Sequence, residues 1–265
     1  MTYSDMYREL TKKVSKFDSL ELIAFASEKS KSALLRDMGE LCPADAAEKI
    51  RRLCVRRESG EPLAYIFGEW DFYGLRLIVT PDVLIPRIDS EALIDAALTA
   101  VTASNPRILD LCCGSGCLGL ALLSKLPNAA LTAVDISAAA LEVTRINAER
   151  LGFSERVTLI NADILQAPDH SIFNSDFSLI ISNPPYVTAL EMAALDKSVA
   201  DYEPHLALYG GADGLNFYRA IAAYWGGLPA ADGVMVLECG HAQKMAVEEI
   251  FSEYKNKVTV IGTGG

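Results

Sequence analysis

Phe177-Ser178-Leu179-Ile180-Ile181-Ser182-Asn183-Pro184-Pro185-Tyr186 is the stretch on which the fold turns. Its apolar run, Phe177 to Ile181, reads as a buried strand of a parallel sheet. Two prolines cannot continue the ladder, so the chain must leave the sheet there. Asn183 is thereby predicted at the carboxyl end of a strand, where open α/β sheets bind ligands. The Asn oxygen and the Pro184 carbonyl, held extended by its own ring and by Pro185, together offer two acceptors for a planar –NH2 group. Tyr186 is expected to cover that group's flat face. Asn-Pro and Pro-Pro are also ordinary turn signals, so the tetrapeptide has to be read in context.

Working outward, the chain alternates strand and helix from Pro106 on, the mark of a doubly wound parallel sheet. Strands are predicted at Arg107–Leu111, Leu131–Asp135, Val157–Asn161, Phe177–Ser182, Val234–Cys239 and Val258–Ile261. Helices are predicted at Cys117–Lys125, Ala138–Leu151, Gly214–Tyr224 and Ala242–Tyr254. Thr188–Asp213 shows no clear period and reads as a lid or loop over a substrate. Before Pro106 the pattern differs. Residues 1–60 read as helices, one spanning Leu20–Ser30 behind an Asp18/Glu21 capping box and one running from Pro43 to just before Gly60. Arg51, Arg52, Arg56 and Arg57 fall on the polar side of the latter, a solvated face or a surface for a protein partner. Residues 61–89 suggest a hairpin bridging two domains, with Ser90 or Asp89 capping a helix to about Val101.

Asp110-Leu111-Cys112-Cys113-Gly114-Ser115-Gly116 closes the first predicted sheet strand and opens a helix. Its glycines let backbone approach a ligand closely. Asp135 ends the next strand, placed to accept from ribose hydroxyls. Asp163 is placed to hold an adenine's amino group, with Ile164 packing on the ring. Gly114-Ser115-Gly116-Cys117-Leu118-Gly119 also satisfies the dinucleotide fingerprint, which leaves a nicotinamide- or flavin-dependent oxidoreductase open. S-adenosylmethionine accounts for both halves: a methyl donor over the glycine turn, and a nitrogen acceptor held by Asn183. No His or carboxylate stands out as a base, so positioning is expected to supply most of the rate.

Composition bounds the rest. The chain has 265 residues, 51% of them hydrophobic, enough for a large domain and a small one. Net charge is −11, with 12 Lys/Arg against 10 Asp/Glu in residues 1–60 and 12 against 25 afterwards. An acidic catalytic portion is a poor match to a phosphate backbone, which argues against direct nucleic-acid binding and against an adenine-N6 nucleic-acid methyltransferase. Six cysteines without CxxC spacing suggest free thiols and no metal site. No apolar run is long enough for a membrane span, and the first residues lack a signal peptide's apolar core. A cytoplasmic, monomeric enzyme is expected.

Asp110–Gly116 followed by Asn183–Tyr186 resembles class I methyltransferases that modify amide or exocyclic amino nitrogens. Gly60-Glu61-Pro62-Leu63-Ala64-Tyr65-Ile66, Gly68-Glu69-Trp70-Asp71-Phe72-Tyr73-Gly74 and Leu84-Ile85-Pro86-Arg87-Ile88-Asp89-Ser90-Glu91 are similar to blocks of the peptide chain release factor glutamine methyltransferases. The resemblance covers nearly the whole chain. It implies three segments: 1–60, a helical domain that docks class-1 release factors; 61–89, a hairpin linker; and 90–265, an S-adenosylmethionine-dependent methyltransferase domain. It implies methylation of a Gly-Gly-Gln glutamine, with the cofactor over Cys112, Cys113, Gly114, Ser115, Gly116, Asp135, Asp163 and Ile164. Asn183, between donor and substrate, would hold the glutamine together with Pro184, Pro185 and Tyr186. The sequence departs from the family's pattern at Cys112 and Cys113, where Gly-Thr is usual, and at Ser90, where Thr is commoner. It also ends at Ile261-Gly262-Thr263-Gly264-Gly265, ahead of the final hairpin strand the resemblance implies.

Overall fold

The computed structural model describes residues 1–173, 176–254 and 257–263, so Gly264 and Gly265 lie outside the described residues. The chain divides into two compact units, Met1–Gly68 with Lys197–Tyr202, and Glu69–Asp196 with Glu203–Gly265. The division falls at Gly68, so residues 61–68, expected in the linker, close the first unit.

The first unit is helical: Tyr3–Leu10, Lys16–Ala26, Lys31–Arg36, Ala44–Glu58 and Leu63–Phe67. Its core is Met6, Leu10, Leu22, Ile23, Leu34 and Ile50, all essentially without exposure. The expected Leu20–Ser30 helix starts four residues earlier because Ser15, not Asp18, is the cap: its hydroxyl accepts the Asp18 N–H. Asp18 turns away to pair with Arg57 at 2.9 Å. Arg51 pairs with Glu9 and Arg56 with Glu61, so three of the four arginines read as a polar face are tied within this unit.

The second unit opens with a hairpin, β1 (Glu69–Phe72) and β2 (Leu75–Ile78). Tyr73 and Gly74 both have positive φ (50° and 78°), the two-residue turn whose twist matches that of antiparallel strands. Asn147 docks the hairpin by accepting from Ile78 N–H and donating to Ile78 C=O.

The sheet follows: β3 (Arg107–Leu111), β4 (Ala130–Asp135), β5 (Val157–Asn161), β6 (Phe177–Ser182), β7 (Pro229–Gly240) and β8 (Val258–Thr263). Every neighbouring pair is parallel, in the order β5-β4-β3-β6-β7-β8. Alternation divides each strand between two cores. Ile108, Leu131, Ala133, Leu179 and Ile181 pack on one face with Leu93, Ile94 and Leu120. Leu109, Leu111, Val134, Ile180 and Leu237 pack on the other with Tyr218, Trp225 and Phe251. The strand order reverses between β3 and β6, and the crevice at their carboxyl ends is where such sheets hold ligands.

Helix Cys117–Lys125 has its expected bounds, and Ala138–Arg150 ends one residue early. β7 begins at Pro229, five residues ahead of expectation, through a register shift opposite Phe177 and Leu179. The expected Gly214–Tyr224 helix is shorter in α form, Asn216–Ala220, and continues as a π turn over Ile221–Trp225. Gly214, at φ +74°, cannot belong to it. The last helix likewise contracts to Lys244–Ile250, with single 3₁₀ turns on either side. Among the described residues no helix is long and apolar enough to cross a membrane.

Candidate active site

The turn after β3 is built by backbone geometry. Cys112, Gly114 and Gly116 have φ of +60°, +55° and +76°. A Cβ on Gly116 would lie 2.7 Å from Thr144 Cγ2, whereas one on Gly114 would meet nothing within 4 Å. Gly116 is therefore required by packing, and Gly114 leaves a bare backbone facing open space. Thr144 Oγ1 donates to Gly114 C=O and Asn147 to Ser115 C=O, fixing the turn from behind. Cys112 stands where L residues are strained by about 1–2 kcal/mol and a glycine would not be. Cys112→Gly is expected to leave stability within about 1 kcal/mol of the parent, relief of strain offsetting the lost thiol contacts. The β-branched Cys112→Val is expected to cost about 2 kcal/mol, measured by urea unfolding.

Asp135 ends β4 beside this turn. Its Oδ2 accepts from Gly114 N–H and its Oδ1 from Ser137 N–H, both at 2.9 Å. Burial raises its pKa against the pull of those N–H groups. Behind it, Asp110 is fully buried, with Oδ2 accepting from Gly119 N–H at 3.0 Å and Oδ1 without a partner among the described residues. Burial pushes the Asp110 carboxyl up to about 7, the Gly119 N–H opposing and the Asp135 charge adding to the rise. A raised folded-state pKa gives stability that is complete below the ordinary carboxylate range and is lost as pH rises through the folded value. Unfolding free energy is thus expected to fall between about pH 4 and pH 7, with a slope from this group of up to about 1.4 kcal/mol per pH unit. Asp135 contributes with the same sign, and Asp110→Asn should flatten the slope in urea melts across that range.

A cleft opens at the reversal of strand order, enclosing about 1120 Å³ when the open solvent at its mouth is included. Cys112, Cys113, Gly114, Ser115, Asp135, Asp163, Ile164, Asn183 and Pro185 all line it. Ile136, Leu165 and Phe217 add an apolar wall that the sequence reading did not include. Asp163 Oδ1 accepts from Leu165 N–H, and Ile164 is anchored through its C=O by the Trp225 indole N–H. A carboxylate beside a bare glycine turn and an apolar slot fits a nucleoside carrying a charged chain, as S-adenosylmethionine does.

Gly116, Pro184 and Tyr186 stand outside the walls. Tyr186 does not cover the cleft: its ring is half-buried against the Leu237 core, with its hydroxyl beside Glu238. The tetrapeptide is clamped from below by a glycine-rich stretch. Val187 and Tyr209 form a parallel bridge, and Gln243 Nε2 donates to Tyr186 C=O at 3.0 Å. A Cβ on Gly210 would lie 2.6 Å from Pro185 C=O, so only glycine admits this approach.

Two further features lie outside the sequence expectations. Ser90 does not cap the helix Glu91–Ala100; its hydroxyl donates to Glu238 Oε2 at 2.5 Å and accepts from Asn183 Nδ2 at 3.2 Å. A carboxyl thus stands next to Asn183 where none was expected. Glu203, with only 2% of its side chain exposed, accepts from Arg87 at 2.6 Å and from Ile85 N–H at 3.3 Å. This pair joins two walls of the cleft, Asp82–Arg87 and Pro204–Ala207, the latter from the stretch read as a lid.

The comparisons follow the same lines. Residues 88–210 match the family model "Methyltransferase small domain" and residues 8–68 match "PrmC N-terminal domain". The release factor glutamine methyltransferase of Cereibacter sphaeroides is 40% identical over 233 residues, 87% of this chain and 80% of that protein. Those of Geobacter sulfurreducens and Chlorobaculum tepidum are also 40% identical, over 76% and 72% of this chain and 69% and 67% of theirs. The crystal structure of the hMettl16 catalytic domain in complex with MAT2A 3'UTR hairpin 6 superposes with a TM-score of 0.53 at 15% identity, covering 79% of this chain and 73% of that one. That likeness speaks to the fold alone.

Proposed function

We infer the working of the site from one premise: this chain belongs to the release factor glutamine methyltransferase family. It is an S-adenosylmethionine-dependent enzyme that methylates a release factor glutamine. The acceptor in our reading is the side-chain nitrogen of a Gly-Gly-Gln motif in class-1 release factors. Residues 1–60 would dock the factor, with 61–89 as a hairpin linker ahead of the catalytic segment 90–265. We place the reaction in the cytoplasm, with a monomer as the working form.

Cys112–Gly116, Asp135, Asp163 and Ile164 would hold the cofactor, which when bound supplies an electrophilic methyl. Asn183 Oδ1, on the cleft wall, would accept one hydrogen of the glutamine –NH2, and the carbonyl of Pro184, which lies between the lining residues Asn183 and Pro185, would accept the other. An amide nitrogen is a weak nucleophile because its lone pair is delocalised. Fixing both hydrogens would align the nitrogen with the methyl and favour partial rehybridisation, which weakens the conjugation of the lone pair with the carbonyl, and oriented reactants are worth on the order of 7–11 kcal/mol. Pro185 and the clamp on Tyr186 C=O keep the acceptors from moving. The proton leaves to water once the nitrogen has been alkylated.

The observation that carries this reading is that Asn183 and the Cys112–Asp135 turn share one cleft. The test is transfer of label from S-adenosylmethionine to a purified release factor, beside a version with Gln→Ala in its Gly-Gly-Gln motif. Label in the unaltered factor alone is the expected result. Equal label in both factors would move the acceptor elsewhere, and no label despite cofactor binding would overturn the substrate assignment.

A further inference from the structure

An Asn side chain is nearly symmetric in shape, so which end faces a ligand is set by what stands behind it. Only the oxygen can receive a substrate –NH2. Register places Ser182, the last residue of β6, opposite Leu237, so Asn183 just past that strand follows beside Glu238 of β7. Ser90 reaches the same point from the end of the 3₁₀ turn Ile88–Ser90. Ser90 is 3% exposed and Glu238 is not exposed at all.

We propose that Ser90 and Glu238 are positioning residues that hold the Asn183 amide with its –NH2 turned inward and its Oδ1 toward the cleft. This rests on the assignment of Asn183 as acceptor for the glutamine amide. A carboxylate has acceptors only, so Glu238 commits the single Ser90 proton to itself. What remains on Ser90 Oγ is lone pairs, and the group that meets them must donate. Asn183 Nδ2 does so. Glu238 Oε1 is buried without a hydrogen-bond partner among the described residues, and Asn183 and Tyr186 both lie close enough to favour its charged form. Flipping the amide would set its oxygen against a spent hydroxyl and a carboxylate.

The arrangement is sensitive to one proton. Burial pushes the Glu238 carboxyl up to about 7, Asp89 adding to the rise while Ser90, Asn183 and Tyr186 oppose it. The other groups facing it are Tyr218, which donates to the Glu238 backbone carbonyl, and the Cys117 and Cys239 thiols. Protonated Glu238 becomes a donor, releases the Ser90 hydrogen, and removes the preference that orients Asn183. The positioned state is therefore present above about pH 7 and is lost as pH falls through that value.

The experiment is a pH series from 5.5 to 9 on the parent, Ser90→Ala, Ser90→Thr and Glu238→Gln. It reads kcat with a release factor, cofactor Kd by calorimetry, and the Asn183 side-chain NH2 resonances by NMR after selective ¹⁵N-Asn labelling. Ser90→Ala should lower kcat about 10- to 100-fold, the value of one buried hydrogen-bond partner, and Ser90→Thr should restore it. Glu238→Gln should abolish the acid limb of the kcat profile while cofactor Kd, Glu238 lying outside the cleft walls, stays within about twofold. In the parent, the Asn183 NH2 signal should titrate near pH 7, and in Glu238→Gln it should not. Parent kcat in Ser90→Ala, or an unchanged acid limb in Glu238→Gln, overturns the proposal. Failure of the parent to methylate would instead sink the substrate assignment, and the NMR titration would still decide the positioning.

Discussion

Asn183→Ala is expected to lower turnover about 10²- to 10³-fold while cofactor affinity changes less than about threefold. The scale follows from what the residue is asked to do. Removing one preorganised polar partner of a reacting group costs about that much in other enzymes, because it acts where the substrate changes electronically. Cofactor affinity should hold because the turn at Cys112–Gly116 and Asp135 is fastened by Thr144, Asn147 and the Gly114 N–H, none of which depends on Asn183. Stability should fall by only about 1 kcal/mol, the cost of leaving Ser90 short of one donor in a half-open site. Single-turnover labelling with saturating cofactor separates the two effects. A variant with parental single-turnover rate would remove Asn183 from the chemistry, whatever happened to KM.

Much of this site was legible because its strands are buried on both faces. Leu179-Ile180-Ile181 and Ile108-Leu109 read as buried apolar runs, and the turn residues that follow them, Asn183-Pro184-Pro185 and Gly114-Ser115-Gly116, announce strand ends. Cooperation between distant positions was not legible. Ser90 looks like a helix cap in sequence because serine before a helical pattern usually is one. Its hydroxyl goes to Glu238 instead, a charged and lower-lying partner that no local pattern reveals. Glu238 itself left a trace: a carboxylate inside the apolar run Val234–Cys239 is costly unless something uses it. The early start of helix Lys16–Ala26 was missed for a similar reason, since Asp18 has a stronger tie to Arg57 than to a helix end. Gly210 reads as part of a loop and Gly214 as a helix start, whereas their bare backbones make room for the Pro185–Tyr186 main chain.

Arg87→Met is expected to destabilise the protein by about 3 kcal/mol, and Glu203→Gln by far less. The asymmetry comes from burial. Glu203 has 2% of its side chain exposed and Arg87 38%. Removing Arg87 leaves a carboxylate in the interior without its cation, the Ile85 N–H still donating to it, and breaking a buried pair from one side typically costs about 3–5 kcal/mol. Removing the charge from Glu203 leaves a guanidinium that already reaches water, and the Gln oxygen can still accept from Ile85. Combining Arg87→Met with Glu203→Gln should therefore recover most of the loss, giving a coupling of roughly 2 kcal/mol in a double-mutant cycle of urea unfolding. Activity should follow the same order, because the pair joins two walls of the cleft: cofactor KM is expected to rise in Arg87→Met and to return toward the parent in the double variant. If the double variant stays as unstable as Arg87→Met, the lost contribution is the packing of the arginine stem against the cleft, not the charge it neutralises.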